Sequence, residues 1–469
     1  MKKYGIIGAI VAVVAVVALV GWQLFKGRDD SMASSLPADA TMVGRVDLKT
    51  LVLDYGMDFA DLKRLLTEDR ETGIKYQTAA YVFVSRGQLG AIVALSDEDE
   101  FQTMLEGQGC TIEEQRGLKW SVVKSNMLVA FDDERAMLMG PAVGSEQDAL
   151  RNTIYTCMKQ KASESGKQGR LYKMLDKRKE PVAMAGNLAS LPTDLLKQYT
   201  KYLNVPVEDV DLTAGFTAQK DRLAMRFGLQ SDNSDADKQL DKLDDLLDEI
   251  DGDLMKTVPA NALVNIVIGM DGEDLLKRLR ENKVTRTALL AANMVFDLDM
   301  ILKSIDGDVA LSLFDTDKAT PSLLFQAQLD DDKFMKKVPE WNDATSRSMG
   351  FNFYAQNDNQ AVCIYQGTPV YFGTNNKRLL ISDNESLVKA TAHTDAQWNL
   401  ASEMKGKRIF VTFDVAKLRS MATEKYSNEN FTRWLQLFER LNFSMTDAHD
   451  MQLEQVAPTG TDILKEIKN

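Results

Sequence analysis

The chain has 469 residues, of which 44% are hydrophobic, 27% charged and 8% aromatic. This is the composition of a globular protein of two or three domains, and it excludes a disordered or fibrous chain. The formal net charge is −13, so we expect no nucleic-acid partner bound through an overall basic surface. Two histidines and three cysteines provide little material for a zinc site or a disulfide framework.

An apolar segment at residues 5–25 follows the basic pair Lys2 and Lys3. Its first eighteen residues include no charged side chain, and a helix over the whole segment is about 31 Å long. A hydrocarbon core is about 30 Å thick, so such a helix can span it. We therefore expect residues 1–30 to form a cytoplasmic stub and a transmembrane anchor, with the membrane as a partner through residues 5–25.

A cleaved signal peptide is the alternative interpretation of this segment. The apolar region of a signal peptide has about 7–15 residues and ends at a small-residue cleavage site. Here the apolar run is longer, and residues 20–23 (Val-Gly-Trp-Gln) form a poor cleavage site, which favours an uncleaved anchor. Because Lys2 and Lys3 precede the segment, the positive-inside rule places residues 30–469 outside the cytoplasm.

Beyond this segment, similar strings recur after about 220–240 residues, which indicates an internal duplication. In one such pair a strand runs into an acidic helix start, and a phenylalanine follows the Asp by four residues in both copies. We therefore divide the body into a first repeat at residues 31–235 and a linker helix with a second repeat at residues 236–469. The paired ranges, in chain order, are 36–43 with 258–264, 89–97 with 322–330, 127–140 with 370–382, 182–191 with 409–418, and 212–230 with 441–456.

The stretch that joins the two repeats predicts a helix. Leu240, Leu243, Leu247, Ile250 and Leu254 recur at steps of three and four residues, which places them on one face of a helix. Two heptads are too few for a partner-binding coiled coil, so we expect this face to pack on the protein's own sheet.

The predicted fold class is α+β, with an N-terminal transmembrane helix followed by two tandem copies of an antiparallel sheet-plus-helices unit. Connections of hairpin length at residues 218–221 and 447–450 imply antiparallel pairing, and hairpins mixed with helices are typical of α+β folds. Strands are predicted at Ala80–Ser85, Gly90–Leu95, Leu223–Leu229, Ala262–Ile268, Asp308–Phe314 and Leu323–Leu329, and helices at Phe59–Leu66, Asp194–Tyr202, Glu273–Arg280, Glu385–Thr391 and Phe431–Arg440.

Catalytic motifs are mostly absent from the sequence. The nearest approach to a phosphate-binding loop has Lys161 where the first Gly is needed and Gln168 where Ser or Thr is needed. The imidazoles, His393 and His449, lack the Ser or Cys context of a triad. We therefore assign no catalytic residue, no cofactor and no metal ligand, and we expect the three cysteines to be buried free thiols.

Clusters of acidic residues admit two interpretations. Asp97–Glu100, Asp132–Glu134 and Asp330–Asp332 offer the oxygens that calcium prefers, but none has the register of an EF-hand loop. Acidic residues also begin helices, where a carboxylate accepts backbone N–H bonds, and we favour this interpretation. Paired carboxylates for glycoside hydrolysis stay open, because their separation is not visible in a sequence.

Tryptophans supply the candidate binding surface. Trp341 and Trp398 lie in polar, loop-like stretches, so we expect them to be exposed and select them as candidates for binding a glycan or peptide. Trp434 and Phe438 are four residues apart on a helical pattern and are expected in the core.

The opening of the body resembles a known family. A basic start, one apolar span and the string Leu36–Ala40 leading into Val43–Leu48 are similar to a family of exported, membrane-associated Bacteroidetes proteins described only as a domain of unknown function. The likeness covers nearly all of residues 36–456. It implies an envelope location, here a single pass through the bacterial inner membrane with the bulk of the chain in the periplasm, and it brings no catalytic residues. Many relatives carry a lipid-accepting Cys, which this chain lacks.

The expected function is that of a membrane-anchored extracytoplasmic protein of non-enzymatic character that binds a ligand or partner, an unidentified protein or glycan. The alternative is a carboxylate-dependent envelope enzyme that acts on glycans. An enzyme of this kind would bring acidic residues with perturbed pKa values together in one concave pocket.

Overall fold

The computed structural model describes residues 31–47, 72–76, 78–123, 126–190, 205–244, 247–257, 261–281, 283–314, 322–389, 400–422 and 436–463. Two compact units divide the chain. Met1–Asp237 together with Asp462–Asn469 form the first unit, and Lys238–Thr461 form the second. Twenty strands lie in the described ranges, ten in each unit, and their pairing is antiparallel.

The sheet of the first unit follows the order β10-β9-β8-β1-β2-β3-β7-β6-β5-β4. The nine-residue strands β9 and β10 form a hairpin, as the sequence predicts. The strand bounds are β1 (Ala40–Val46), β2 (Ala80–Ser85), β3 (Gln88–Ala94), β4 (Glu113–Gln115), β5 (Leu118–Val123), β6 (Met127–Phe131), β7 (Arg135–Gly140), β8 (Val182–Asn187), β9 (Asp211–Gln219) and β10 (Arg222–Gln230).

Different helices cover the two faces of this sheet. On one face Trp120 and Leu128 are at most 1% exposed and pack with residues of α2 and α3. Because successive strand side chains point to opposite faces, Phe131 lies on the other face, where its ring meets Phe101 of α1 edge-on at 5.1 Å. The helix bounds are α1 (Glu98–Gly107), α2 (Gln147–Lys159), α3 (Arg170–Lys177) and α4 (Ser234–Asp244).

The sheet of the second unit follows the order β20-β19-β18-β11-β12-β13-β17-β16-β15-β14. Strands β19 and β20 form a hairpin, again as predicted. The strand bounds are β11 (Val264–Asp271), β12 (Ile305–Phe314), β13 (Ser322–Leu329), β14 (Phe351–Asn357), β15 (Gln360–Tyr365), β16 (Thr368–Thr374), β17 (Arg378–Ser382), β18 (Ile409–Asp414), β19 (Arg440–Asp447) and β20 (Asp450–Val456).

Three helices enter the second unit between β11 and β12. The first and third of them, α5 and α7, contact the strands, and the second, α6, packs on its two neighbours. The helix bounds in this unit are α5 (Gly272–Glu281), α6 (Lys283–Asn293), α7 (Leu298–Lys303), α8 (Ala344–Ser348), α9 (Glu385–Lys389), α10 (Ala401–Met404) and α11 (Val415–Ala422).

Both units have the same strand order when β1 is matched to β11, β2 to β12, and so on to β10 and β20. Four of the five pairs of similar strings fall on strands of equal rank, for example residues 89–97 on β3 and residues 322–330 on β13, and the described residues of the remaining pair lead into β1 and β11. The division between the units falls at Asp237 and Lys238. Common topology is what a duplication of one unit would produce.

The end of the described chain returns to the first unit. Ile463 is 0% exposed, and its backbone N–H donates to the Lys220 carbonyl oxygen at 2.8 Å, at the turn between β9 and β10. The first unit is therefore built from two separate stretches of the sequence.

The predicted fold class is wrong as stated, because the chain is mostly antiparallel sheet and the described residues contain no helix that is long and apolar enough to cross a membrane. Their longest helix, α2, has 13 residues, or about 20 Å. Short helices accompany the strands, so the α+β part of the prediction is partly consistent with the structure. The segment at residues 5–25, on which the transmembrane prediction rested, lies outside the described residues.

Most of the predicted strands and helices match the structure, and the others lie wholly or partly outside the described residues. The predicted strands are confirmed, with ends shifted by up to three residues, and the predicted helix Glu273–Arg280 is confirmed within α5. The helix Glu385–Thr391 is confirmed over its described part, α9. The helices Phe59–Leu66 and Asp194–Tyr202 lie outside the described residues, and of Phe431–Arg440 the described end leads into β19.

The linker helix is shorter than the sequence predicts. The helix α4 ends at Asp244, and Gly252 adopts a left-handed φ of 90° that an α-helix does not accommodate. Leu240, Ile250 and Leu254 are nevertheless at most 1% exposed. The apolar pattern therefore predicted burial correctly, but not the backbone that achieves it.

Candidate functional site

An apolar cavity of about 200 Å³ lies in the first unit between α1 and the sheet. Val93, Val129 and Leu138 form its floor on strands β3, β6 and β7, and α1 contributes Phe101 and Met104. These residues belong to the apolar cluster on the α1 face of the sheet. The sequence places apolar side chains at alternate positions of three strands, and the helix lies over them without filling the space.

Small side chains leave this space open. Ala91 and Ala136 line the cavity and are 6% and 3% exposed. Each provides one methyl group where a larger apolar residue would reach into the cavity. A substitution at either position is therefore a direct way to occupy the site from within.

The segment 72–76 forms a further wall and is clamped to the start of α1. The Gly73 carbonyl oxygen accepts the N–H groups of Ser96 and Asp97 at 2.8 and 3.2 Å. Gly73 has a φ of +67°, and a Cβ there would lie 2.1 Å from the Asp97 carbonyl oxygen. This position therefore requires glycine, which has no Cβ.

The helix α1 is fixed by its own cap. The Asp97 carboxylate accepts the Glu100 N–H at 2.9 Å, and three acidic residues in the first turn, Glu98 to Glu100, complement the helix dipole. The prediction that Asp97–Glu100 begins a helix is confirmed. Of the other two clusters, Asp132 caps a turn between strands, and Asp330–Asp332 precede the 3-10 helix Lys333–Trp341.

Polar side chains in the cavity lining are few. Lys75 and Gln108 are exposed, Tyr76 is half-buried and Thr78 is buried. Burial raises the pKa of Tyr76 to about 12, and its hydroxyl forms a hydrogen bond with the Thr72 hydroxyl. The arrangement suits an apolar body in the cavity with a polar group at its exposed edge.

A second apolar hollow of about 150 Å³ lies in the same unit over β1, β2, β8 and β9. Met42, Val82 and Met184 line it. Val82 and Ala80, which lines the first cavity, are two residues apart on β2, so both side chains point to the same face. The first unit therefore has two apolar spaces on one face of its sheet.

Trp341, one of the two predicted binding residues, lies in the core of the second unit and is 8% exposed. Its ring meets Phe353 edge-on at 5.6 Å, stacks on Phe372 at 6.3 Å and lies 6.0 Å from Phe296. The expectation of an exposed ring is wrong, because the 3-10 helix that Trp341 ends turns its apolar side chains toward the sheet. Trp398, the other candidate, lies outside the described residues, as do Trp434 and His393.

Two fully buried carboxylates, Asp211 and Asp308, have pKa values that burial raises, as an enzyme would need. Asp308 on β12 is 0% exposed, and burial, with the nearby Asp251 carboxylate, raises its pKa to about 6. Its oxygens accept the backbone N–H groups of Asp251 and Gly252 at 3.1 and 2.9 Å. These bonds hold the loop before β11 in place, and they leave the carboxylate enclosed rather than open to a substrate.

Other candidates from the sequence have structural roles. Within the described ranges, no group of three or more His, Cys, Asp or Glu residues is placed to hold a metal ion. Cys157 and Cys363 are buried free thiols as predicted, Cys110 is a half-buried one, and burial raises the pKa of Cys157 to about 11. Gly166, in the rejected phosphate-loop string, packs against the Pro37 carbonyl oxygen.

Fold and site together define a class of protein in which antiparallel sheet and short helices enclose an apolar space. A family profile matches residues 54–453 of this chain, and the chain belongs to that family, DUF4836, a domain of unknown function. The domain of unknown function named in the sequence resemblance is thereby supported, although the string at residues 36–48 precedes the matched range. The Bacteroidetes origin and the envelope location stay predictions.

Solved structures of TP0453 are similar to part of this chain. Crystal form IV is 13% identical with a TM-score of 0.28, and the match covers 44% of this chain and 81% of TP0453. Crystal form I is 12% identical with a TM-score of 0.25, covering 45% and 81%. These scores carry no argument about this chain. No curated protein matches.

Proposed function

We propose that this protein binds a small amphipathic molecule with an alkyl or acyl chain in the cavity beneath α1, and that it does so without converting the ligand. The cavity lining carries the proposal, because it is mostly apolar and its few polar side chains include Lys75 and Gln108 at exposed positions. Ligand pockets in proteins combine an apolar lining with a few polar groups in this way.

The size of the cavity supports a short length of chain. A cavity of about 150 Å³ accommodates benzene, so the space of about 200 Å³ beneath α1 holds several methylene groups. Burial of one methylene group contributes about 0.8 kcal/mol, so four to six of them contribute about 3–5 kcal/mol. Lys75 and Gln108, both exposed, are placed to contact the polar end of such a ligand.

The alternative function, a carboxylate-dependent enzyme that acts on glycans, has less support in the described residues. Asp308 is engaged by two backbone N–H groups and is enclosed. Asp211 is also enclosed and pairs with Arg170 at 2.8 Å. The glycan-binding version of the ligand hypothesis rested on two tryptophans, and Trp341 is buried in an aromatic cluster. An apolar ligand is therefore favoured over a glycan.

Titration with the fluorescent fatty acid 11-(dansylamino)undecanoic acid tests the proposal. We expect saturable binding to the wild-type chain, and binding at least tenfold weaker in Ala91→Phe, whose ring occupies the cavity. Ala189→Phe is the matched control, because Ala189 is exposed and does not line the cavity. Mass spectrometry of the recovered probe checks that it is unchanged.

Equal affinity of the wild type and a folded Ala91→Phe variant, judged by circular dichroism, would refute the assignment of the cavity. Ala136→Leu fills the same space from β7 and provides a second test if the phenylalanine variant does not fold. Chemical conversion of the probe by the wild type would refute the non-enzymatic part of the proposal.

A further inference from the structure

The helix α6 (Lys283–Asn293) is the outer member of the three-helix layer between β11 and β12. Its neighbours α5 and α7 contact the strands, whereas α6 packs on α5 and α7. Asp299 fixes its far end, because its carboxylate accepts the Asn293 side-chain N–H at 2.9 Å and pairs with Arg280 of α5. The Asp299 N–H also donates to Asn293 at 3.1 Å. The helix is therefore held in one orientation.

The two sides of α6 differ sharply in burial. Leu289 and, just after the helix, Val295 are each 6% exposed. Leu290, near the end of α6, and Met294, in the turn just after it, are 64% and 59% exposed. Two large apolar side chains consequently project from the outer layer.

The same outward side carries positive charge. Lys283, Arg286 and Leu290 follow one another at steps of three and four residues, so they lie on one side of α6, and Met294 follows in the turn after the helix. We call these four exposed residues the stripe. Lys283 and Arg286 are exposed, and neither forms an ion pair with a described residue. Residues 283–294 include no acidic side chain, in a chain whose net charge is −13. The stripe is therefore cationic and apolar, whereas the protein as a whole is acidic.

We propose that this stripe of α6 docks on the surface of a bilayer that contains anionic lipid. Leu290 and Met294 enter the boundary between head groups and acyl chains, and Lys283 and Arg286 contact lipid phosphates. Peripheral helices bind membranes with an apolar side inserted and cations beside it, and each cation near an anionic surface strengthens attachment. Repulsion of the acidic remainder orients the molecule with α6 toward the lipid.

The dimensions of the stripe favour a bilayer over a protein partner. A stable protein interface buries about 800 Å² on each side, which two projecting side chains and two cations on one convex helix do not supply. A bilayer needs no complementary groove, because lipids rearrange around the inserted side chains. This inference concerns the second unit and does not depend on ligand binding beneath α1.

An environment-sensitive nitrobenzoxadiazole label at position 294 tests the proposal in the full chain. The variant is Met294→Cys with Cys110→Ser, since Cys157 and Cys363 are buried. The control carries the label at Val143→Cys, because Val143 in the first unit is 66% exposed. The labelled chains are mixed with vesicles of phosphatidylcholine alone or with 40% phosphatidylglycerol, and with nitroxide-labelled lipid as a quencher.

We expect the label at 294 to brighten at least twofold with the phosphatidylglycerol vesicles and to be quenched by nitroxide lipid. The label at 143 should not respond. Its silence would show that the signal at 294 does not arise from other contacts of the full chain with vesicles. Adding Lys283→Glu and Arg286→Glu should lower the apparent affinity at least tenfold, as should Leu290→Ser.

Four results would overturn the proposal. An unresponsive label at 294, or an equal response with phosphatidylcholine alone, would exclude recognition of anionic lipid. A response that rises with protein concentration in the absence of vesicles would identify a second copy of the chain as the occupant. An equal response to a soluble poly-glutamate peptide would identify an acidic protein partner instead.

Discussion

Arg45 of β1 is a charged side chain that is only 2% exposed. Its guanidinium donates to the carbonyl oxygens of Leu175, Arg178 and Glu180 at 3.2, 2.8 and 3.1 Å. The first of these belongs to the last turn of α3, where the helix dipole favours a cation. One side chain thus joins an inner strand of the first unit's sheet to the end of α3 and the chain that follows it.

Replacement of Arg45 by Met should lower the free energy of unfolding of the first unit by about 3 kcal/mol, because buried carbonyl groups lose their donors. Arg45→Lys keeps the charge but not the fork of donors, so its loss should be intermediate. Urea denaturation measures both variants. Arg226→Met, at an exposed position on β10, should change stability by less than about 0.5 kcal/mol. Equal losses at the two positions would contradict this role of Arg45.

The buried carboxyl group of Asp308 predicts a pH dependence of stability. Burial raises its pKa in the folded protein to about 6, above the ordinary value of 3.8. The folded state therefore holds this proton more tightly than the unfolded state does, so its contribution to stability is full below about pH 4 and is lost as the pH rises through about 6. The free energy of unfolding should therefore differ by about 3 kcal/mol between the two ends of this pH range because of this group.

Asp308→Asn should flatten this part of the profile, because the amide does not titrate. Urea unfolding of the second unit between pH 4 and 7 measures the slope, and Asp358→Asn, at an exposed position, is the control that should leave it unchanged. A steeper slope in Asp308→Asn than in the wild type would contradict the assignment. The variant is also expected to be less stable at pH 4, since an amide accepts one backbone N–H where the carboxyl group accepts two.

Among the helices, α1 links the fold to the proposed site, because it covers the cavity and its start is fixed by Asp97. Asp97→Ala removes the cap and should cost about 1 kcal/mol. It should also weaken binding of the dansyl fatty acid, since a frayed first turn no longer holds Phe101 over the cavity. Asp97→Asn, which can also cap, should restore both properties. Loss of binding in Asp97→Asn but not in Asp97→Ala would contradict this explanation.

Among the strands and helices, the sequence predicted those features that a local residue pattern determines. Alternation located the strands, and Asp97 followed by acidic residues located the start of α1. The prediction of one long linker helix was wrong. Leu240, Ile250 and Leu254 are buried and recur at helical spacing, but the chain turns at Gly252. The predicted exposure of Trp341 was wrong for a related reason. A short 3-10 helix that contains Pro339 has a sequence pattern typical of a loop. The cavity was not predicted, because it depends on the distance at which α1 packs on β3, β6 and β7, and the sequence pattern does not give that distance.

For the whole molecule, the recurrence of strings predicted a relation between the halves that the common strand order supports. Sequence similarity did not predict that the described C-terminal residues belong to the first unit. Ile463→Ala should therefore destabilise the first unit, by about 2–4 kcal/mol for a fully buried isoleucine. Hydrogen exchange of β9 and β10 measures this loss, and exchange in β11 and β12 serves as the control. Faster exchange confined to the second unit would contradict the prediction.

The position of Ile463 against the Lys220 turn has a consequence for biosynthesis. A ribosome delivers the chain from the amino end, so the final piece of the earlier half appears only after the later half has been made. Until then the β9–β10 turn lacks the isoleucine that packs beside it. The earlier half consequently reaches its full stability last, and a nascent chain halted before residue 463 would present an unfinished surface there to chaperones or proteases.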